Sequence, residues 1–217
     1  MSQSSIINSQ SEIVLPTAFF GSVAWYRELM RRDAGVFIEA HETYQKQTTR
    51  NHCLIATANG VQKLTVPVTI PKTDREGQPT KNAAITDIFV SDHGNWRHQH
   101  WEALSSSYGM SPFFEFYEDE IRPFFSMKWE KLFDYNLAIT EKMLSLLTQG
   151  KAPAVATTEK YYGVTPYEES TTPYYQTFQR RHGFIAGLSI LDLLFNLGPE
   201  AALLIGKEQE GLSSGSI

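Results

Sequence analysis

Four polar residues lie within one seven-residue run of the chain, at Lys46, Arg50, Asn51 and His52, and their types could form a binding site. Lys46 and Arg50 could hold a phosphate or carboxylate, and the planar guanidinium of Arg50 could do so through two parallel hydrogen bonds. The amide of Asn51 can both donate and accept. His52 can transfer a proton near neutral pH. The run therefore has the residue types of a site that orients an anion and moves a proton.

A purely structural role fits the same run. It could be a solvated loop that leads into an edge strand, with Arg50 paired to Glu39 or Glu42. The run matches no motif that specifies a reaction. A rigid hairpin follows it, and a rigid scaffold is where binding residues are often held. Both interpretations stay open at this level.

Three histidines, His93, His98 and His100, raise the possibility of a metal site. If residues 96–108 form a helix, His98 and His100 point to nearly opposite faces and cannot chelate one ion together. No further spacing of His, Cys, Asp and Glu completes a zinc-binding set. We therefore predict no metal site and treat these residues as ordinary helix histidines.

An acidic segment, Glu115 to Glu120, could contain a general acid and a general base, since Glu115 and Asp119 lie about one helical turn apart. The alternative is a charged helix face in which Glu118 pairs with Arg122 four residues later. Nothing in the sequence indicates a displaced pKa at these positions, which favours the alternative.

Two further residues have a chemical and a structural interpretation. Cys53 would need a neighbouring base to act as a nucleophile, but His52 is adjacent on a predicted strand and faces the opposite side. A buried core position is the better prediction for Cys53. Asp192 follows Ser189 by three residues, which predicts an acidic capping box at a helix start. Walker-type phosphate, dinucleotide-binding and hydrolase-elbow motifs are absent from the sequence.

The elements that would position these residues begin with a strand, a helix and a second strand. Glu12–Leu15 is predicted as a short buried strand. Ser22 is predicted to cap a helix that runs through Arg32, and Val36–Ala40 is the next strand. This order over about thirty residues has the size of a βαβ unit, which favours parallel neighbouring strands.

A β-hairpin follows the polar run. Its predicted strands, Cys53–Ala58 and Val61–Val68, flank Asn59-Gly60, a pair suited to a type I′ turn, in which both central residues have positive φ. Pro67 has no backbone N–H, so the second strand should lie at an edge or end near it.

The remainder of the chain turns from strands to helices. We predict a loop at Pro71–Thr80 and a strand at Ala84–Val90, and helices at 96–108 and Lys131–Gln149. Pro153–Gln176 is predicted as an extended excursion over the surface.

These elements together predict an α/β fold: a mixed, partly parallel sheet with a β-hairpin, covered by helices, and a C-terminal half that is mainly helical. We expect one domain over residues 12–207, with flexible tails at 1–11 and 208–217.

Composition narrows the class of protein. The formal net charge is −5 and no basic stripe is visible, which argues against nucleic-acid binding. The single cysteine fits a reducing compartment. No stretch approaches the ~20 apolar residues of a membrane span, and residues 1–11 lack the apolar core of a signal peptide. The sequence thus predicts a cytoplasmic protein without a membrane span.

Several blocks in combination resemble the WbqC-like family. They are Leu15–Tyr26 (LPTAFFGSVAWY), Tyr44–Val68 with its Arg50-Asn51 and LTVPV, Asn95–Tyr117, Leu132–Leu147 with Asn136, and Gly183–Pro199. They extend from about residue 13 to 205. Two positions depart from the usual family pattern: His52 stands where relatives usually carry arginine, and Leu15-Pro16-Thr17 where many carry a Gln-Pro pair.

The resemblance implies a role in bacterial surface-polysaccharide (O-antigen) biosynthesis. Our first hypothesis is a transferase-like enzyme acting on an activated sugar, such as a nucleotide sugar, or on a related small anionic metabolite; no cofactor is specified. His52 would transfer the proton. The predicted substrate-binding residues are Phe20, Gly21, Lys46, Arg50, Asn51 and Thr65. The second hypothesis is a non-catalytic binding or assembly protein of a polysaccharide gene cluster.

Overall fold

The computed structural model describes residues 11–31, 34–73, 80, 82–151 and 154–206. Its strands are β1 (Ser11–Pro16), β2 (Ala34–Glu39), β3 (His52–Thr57), β4 (Gly60–Thr65), β5 (Val68–Thr69), β6 (Phe89–Val90) and β7 (Ala156–Thr157). Its α-helices are α1 (Val23–Leu29), α2 (Trp96–Tyr108), α3 (Phe114–Ile121), α4 (Pro123–Ser126), α5 (Leu132–Leu147), α6 (Gln179–His182) and α7 (Ile190–Leu197). Short 3₁₀ helices lie at Ile85–Asp87 and Gly198–Glu200, and 201–206 is helical. The predicted tails lie outside the described residues except for Ser11, which belongs to β1.

The predicted βαβ unit is confirmed. β1 and β2 run parallel in continuous register, from the pair Ser11 and Ala34 to the pair Pro16 and Glu39. β7 extends this sheet on the other side of β2. Ser22 caps α1, since its hydroxyl accepts a hydrogen bond from the Trp25 backbone N–H. α1 ends at Leu29, earlier than predicted.

The hairpin is confirmed, but the predicted turn type is wrong. Thr57 pairs with Gly60, so the turn residues are Ala58 and Asn59. Of these four residues only Gly60 has positive φ, at 108°. A type I′ turn is therefore excluded, because its two central residues need positive φ, and the positive φ lies at Gly60, where a side chain is disfavoured. The Thr57 hydroxyl accepts from the Asn59 N–H and donates to the Gly60 carbonyl, which fixes the turn locally.

The strand predicted at Ala84–Val90 is largely wrong. Ile85–Asp87 forms a 3₁₀ turn, and only Phe89–Val90 is a strand. Ile85 and Ile88 are both fully buried, and their spacing of three matches a helical turn rather than the alternation of a strand. Most of the loop predicted at Pro71–Thr80 lies outside the described residues.

The predictions for the second half of the chain are confirmed in the main. α2 and α5 form where the apolar spacing indicates, and the described part of 154–176 has no regular structure beyond β7. Among the described residues, no helix combines the length and apolar character needed to cross a membrane.

The helix cap at Ser189 is confirmed, but the capping box is not. The Ser189 hydroxyl accepts from the Leu191 N–H, whereas the Ser189 N–H donates to Leu54 of β3. The Asp192 carboxylate instead accepts hydrogen bonds from the hydroxyls of Tyr108 at 2.8 Å and Tyr174 at 2.7 Å. Asp192 therefore joins α7 to α2 and to the surface excursion.

This buried cluster is fully satisfied. Burial raises the pKa of the Asp192 carboxyl to about 6, and the two tyrosine hydroxyls oppose that rise. The Tyr108 oxygen also accepts a hydrogen bond from the Ala56 N–H of β3. The Tyr108 hydroxyl thus bonds both a carboxylate and a strand backbone. Its loss removes one hydrogen bond from Asp192 and leaves the Ala56 N–H without a partner.

We expect Tyr108→Phe to lower the free energy of unfolding by about 2–4 kcal/mol, because a buried acceptor and a buried donor each lose a partner. Urea denaturation measures the change. The matched control is Tyr175→Phe, whose side chain is exposed and which should unfold like the wild type. Equal stability of the two variants would contradict the role given to the Tyr108 hydroxyl.

A second buried group predicts pH dependence. His100 packs among Phe19, Trp96 and Phe125, and burial lowers its pKa to about 4. In the unfolded chain the pKa of histidine is 6.5. As the pH falls from 6.5 toward 4, His100 is therefore protonated in the unfolded chain but stays neutral in the folded protein. The stability contributed by neutral His100 is present above pH 6.5 and is lost below it.

Between pH 7 and pH 4 the wild type should lose about 3 kcal/mol of stability relative to His100→Phe, because one pKa unit corresponds to about 1.4 kcal/mol. Denaturant titrations at both pH values measure the difference. An exposed control, His93→Gln, should follow the wild type. Parallel pH curves for wild type and His100→Phe would show that the imidazole is not shielded as described.

Candidate functional site

A cavity of about 240 Å³ lies where the start of β3 meets the first turns of α1 and α7. Three of the predicted site residues, Phe20, Gly21 and His52, line it together. The other lining residues are Ser22, Thr49, Cys53, Leu54, Glu169, Gly187 and Ser189. We call this cavity the His52 pocket.

The wall of the His52 pocket is built where two helix starts are joined. Ser22 and Ser189, the caps of α1 and α7, form an isolated antiparallel bridge. The Ile190 N–H donates to the Gly21 carbonyl, and the Ser189 hydroxyl donates to the Phe20 carbonyl. Residues far apart in the chain are therefore fixed against each other by backbone hydrogen bonds.

Phe20 has an unusual backbone conformation at this wall. Its φ is 42°, in the left-handed region that non-glycine residues seldom occupy. Its side chain is fully buried and stacks on Phe125, with ring centroids 5.6 Å apart. Such strained positions cost about 1–3 kcal/mol and cluster at ligand sites, where the surrounding structure holds them.

The helix starts themselves offer few free donors. The Trp25 N–H donates to the Ser22 hydroxyl, and the Leu191 N–H donates to the Ser189 hydroxyl. Gly21 is also explained by packing, since a Cβ there would lie 3.0 Å from the Trp25 ring. Anion binding by helix N–H groups beside Gly21 therefore has little support from this geometry.

His52 is the titratable group of the pocket best suited to proton transfer. Burial lowers the pKa of its imidazole, and the positive charge of Lys63 lowers it further, so the ring is neutral at pH 7. Its Nδ1 is enclosed and has no hydrogen-bond partner in the described part of the chain. A neutral ring with an unused nitrogen can accept a proton.

The neighbouring groups have distinct character. Burial raises the pKa of the Cys53 thiol to about 12, so the thiol is protonated, in agreement with a core role. Burial raises the pKa of Tyr167, and the charge of the nearby Glu169 carboxylate raises it further. The Glu169 carboxylate favours ligand groups that donate hydrogen bonds, such as hydroxyls and amines.

Arg50 is held inside the protein, away from the pocket lining. Its Nε donates to Glu42 Oε1 at 2.8 Å, its Nη2 bonds the other Glu42 oxygen, and its Nη1 donates to Thr48 at 3.2 Å. The structure thus shows the pairing with Glu42 that the sequence left open. Glu39, the other candidate partner, accepts from Thr158 instead.

The remaining predicted residues lie around the pocket without lining it. The Asn51 side-chain amide donates to the Val66 carbonyl, while its Oδ1 is enclosed and has no partner among the described residues. Thr65 is exposed and pairs with His52 across the hairpin. Lys46 is exposed in the preceding turn. The fold therefore unites Phe20, Gly21 and His52, and leaves four predicted residues outside the lining.

Sequence reasoning missed several lining residues as site components. Ser22 and Ser189 are recognisable as helix caps, and that signal could have placed two helix starts near a site. Glu169 lies in an irregular segment with no local pattern, so only the folded chain reveals that it lines the His52 pocket.

The structure also bears on the histidines and on the acidic segment that the sequence singled out. Within the described ranges, no group of three or more His, Cys, Asp or Glu side chains could hold a metal ion. The predicted ion pair between Glu118 and Arg122 is wrong, because the Arg122 guanidinium lies over the Trp101 ring, 5.7 Å from its centroid. Glu120, from the same acidic segment, forms an ion pair with Lys142.

Removing one partner of the Arg50–Glu42 pair should be costly. We expect Arg50→Met to lower the free energy of unfolding by about 3–5 kcal/mol, since Glu42 would remain as an unpaired buried charge. The double variant Arg50→Met/Glu42→Met should lose less. The exposed control Lys46→Met should change stability by under about 0.5 kcal/mol. A double variant as unstable as the single one would refute this account of the ion pair.

Comparison with known proteins gives the family of the chain. The model of the WbqC-like protein family matches residues 18–161, and the chain belongs to that family. It is similar to the uncharacterized protein Rv1507c of Mycobacterium tuberculosis (strain ATCC 25618 / H37Rv), with 26% identity over 196 residues, covering 73% of this chain and 81% of that protein. No solved structure matches the chain.

Proposed function

We propose that this WbqC-like protein is a cytoplasmic, transferase-like enzyme of bacterial surface-polysaccharide (O-antigen) biosynthesis, acting on an activated sugar or a related anionic metabolite. Family membership supports the biological setting. The observation that carries the chemical part is His52, which lines a small pocket and whose imidazole has a lowered pKa and an Nδ1 without a partner among the described residues.

In this proposal His52 is the general base. It takes the proton from a hydroxyl or amine of the acceptor while that oxygen or nitrogen bonds to the anomeric carbon of the activated sugar. The bond from that carbon to the phosphate oxygen breaks, and its electron pair leaves with the phosphate. The Glu169 carboxylate, which lines the same pocket, accepts a hydrogen bond from another donor of the ligand.

The pocket has a size that limits what it holds. At about 240 Å³ it suits one sugar ring or a small acceptor, below the ~300–1,000 Å³ typical of larger ligands. Phe20 and Gly21 shape its wall, and Lys46, which forms no ion pair with the described residues, is available to a phosphate outside it. Arg50 and Asn51 hold the strand start that carries His52.

A non-catalytic binding or assembly protein is the second candidate. It is favoured by the occupied helix-start N–H groups and by the Glu42–Arg50 pairing, which leave few donors to stabilise a developing charge. This candidate predicts ligand stabilisation without turnover.

A thermal-shift screen over nucleotide sugars, nucleotides, amino acids and acyl carriers tests whether a small molecule binds. We expect at least one nucleotide sugar to raise the melting temperature, because a ligand at 100 times its Kd adds about 2.7 kcal/mol to native stability. No shift with any compound would count against both small-molecule roles and favour a protein partner.

Substitution of His52 separates catalysis from binding. We expect His52→Gln to retain the thermal shift and to lower turnover of the compound found in the screen by about 10²–10⁴-fold, the usual contribution of a general base. Exposed His93→Gln is the control and should react like the wild type. Wild-type turnover in His52→Gln would remove His52 from the mechanism, and a shift without any turnover in the wild type would establish the second candidate.

A further inference from the structure

A second cleft, of about 310 Å³, lies between α2 and α4. Its lining residues are Gly94, Asn95, Arg97, His98, Trp101, Arg122, Phe125 and Ser126. It shares no lining residue with the His52 pocket. The two are in contact through one pair of stacked rings: Phe20 lines the His52 pocket and Phe125 lines the second cleft. We call it the arginine cleft.

The arginine cleft has a concentrated positive charge in an acidic protein. Two arginines and a histidine line it, and no carboxylate does, although the chain carries a net charge of −5. Arg122 forms no ion pair with any described residue, and its guanidinium lies over the Trp101 ring. An arginine without a carboxylate partner is free to bind an external anion.

Arg97 has an unused pair of donors. Its Nη1 bonds Asp92 at 2.8 Å, and its guanidinium lies 4.4 Å from the centre of the Trp96 ring. Its Nε and Nη2 are enclosed and have no hydrogen-bond partner among the described residues. Buried donors of a charged group are costly to leave unpaired, so these two nitrogens favour an anionic partner.

The equivalent nitrogens of Arg50 show what this edge of a guanidinium binds. In Arg50, the Nε and Nη2 edge holds both oxygens of the Glu42 carboxylate. That edge is the fork that matches two oxygens of a carboxylate or phosphate. In Arg97 the equivalent edge has no partner among the described residues. The cleft that Arg97 lines contains a second guanidinium, that of Arg122.

The start of α2 adds partial positive charge near the cleft. α2 has thirteen residues, and the side chain of Asn95, its N-cap, makes no capping hydrogen bond. The partial positive charge of this helix start therefore faces the residues that open the cleft, Gly94 and Asn95. This feature supports the two arginines and would not define a site without them.

We propose that the arginine cleft binds the phosphoryl group of a small phosphorylated molecule. Two guanidinium groups and a helix start match a group with several anionic oxygens better than they match a single carboxylate. The walls of Trp101 and Phe125 give the uncharged part of the molecule an apolar surface. This site is separate from the His52 pocket and does not depend on the function proposed for it.

Titration with pyrophosphate and with inorganic phosphate tests this proposal on the full chain. Tryptophan fluorescence is a suitable signal because Trp96 and Trp101 contact the two arginines, and ionic strength is held constant with chloride. We expect saturable binding of pyrophosphate, tighter than that of phosphate. Arg122→Gln should weaken it at least tenfold, and Arg122→Lys less. Isothermal titration calorimetry repeats each measurement without the optical signal.

The controls locate the binding. Lys128→Gln removes a nearby cation that bonds Asp92 but does not line the cleft, and it should bind pyrophosphate like the wild type. His52→Gln should also bind like the wild type. Arg97→Gln, if it folds, should weaken binding as Arg122→Gln does. No saturable change in the wild type, equal binding by Arg122→Gln, or a loss that follows His52→Gln would each overturn the proposal.

Discussion

The buried ion pair between Arg50 and Glu42 is the constraint on which the rest of the site depends. Arg50 immediately precedes Asn51 and His52, and its carbonyl accepts a hydrogen bond from Asn136 of α5. The Glu42 carbonyl accepts from the Ile85 N–H. Charges taken out of water are tolerated only when paired and hydrogen-bonded, so the segment between β2 and β3 has one allowed arrangement. That arrangement sets where β3 begins and hence where His52 lies.

Buried polar groups in this protein fall into two kinds. Arg50, Glu42 and Asp192 are paired within the chain: Arg50 and Glu42 with each other, eight residues apart, and Asp192 with tyrosines from other parts of the chain. His52 and Arg97 retain enclosed nitrogens without a partner in the described structure. Since an unpaired buried polar group costs about 1–3 kcal/mol, the satisfied groups stabilise the fold, and the unpaired nitrogens of His52 and Arg97 support the two ligand sites proposed above.

Local patterns predicted local structure well. The caps at Ser22 and Ser189, the hairpin and the helices at 96–108 and near Lys131–Gln149 follow from spacing and side-chain chemistry that act within a few residues. The errors have the same origin. Ile85 and Ile88 are buried by distant elements, and the predicted strand is a 3₁₀ turn there. The Asp192 carboxylate bonds two tyrosines from other parts of the chain and does not form the predicted capping box.

The sequence by itself determined the family, through the resemblance of its blocks, and the α/β class and the parallel βαβ unit, through periodicity and turn chemistry. Only the tertiary structure decided that Arg50 faces Glu42, that Glu169 and His52 line one pocket, and that Arg97 and Arg122 share a cleft. Side chains on different elements meet only after packing has fixed the positions of those elements. The order of residues along the chain does not contain the distances between them.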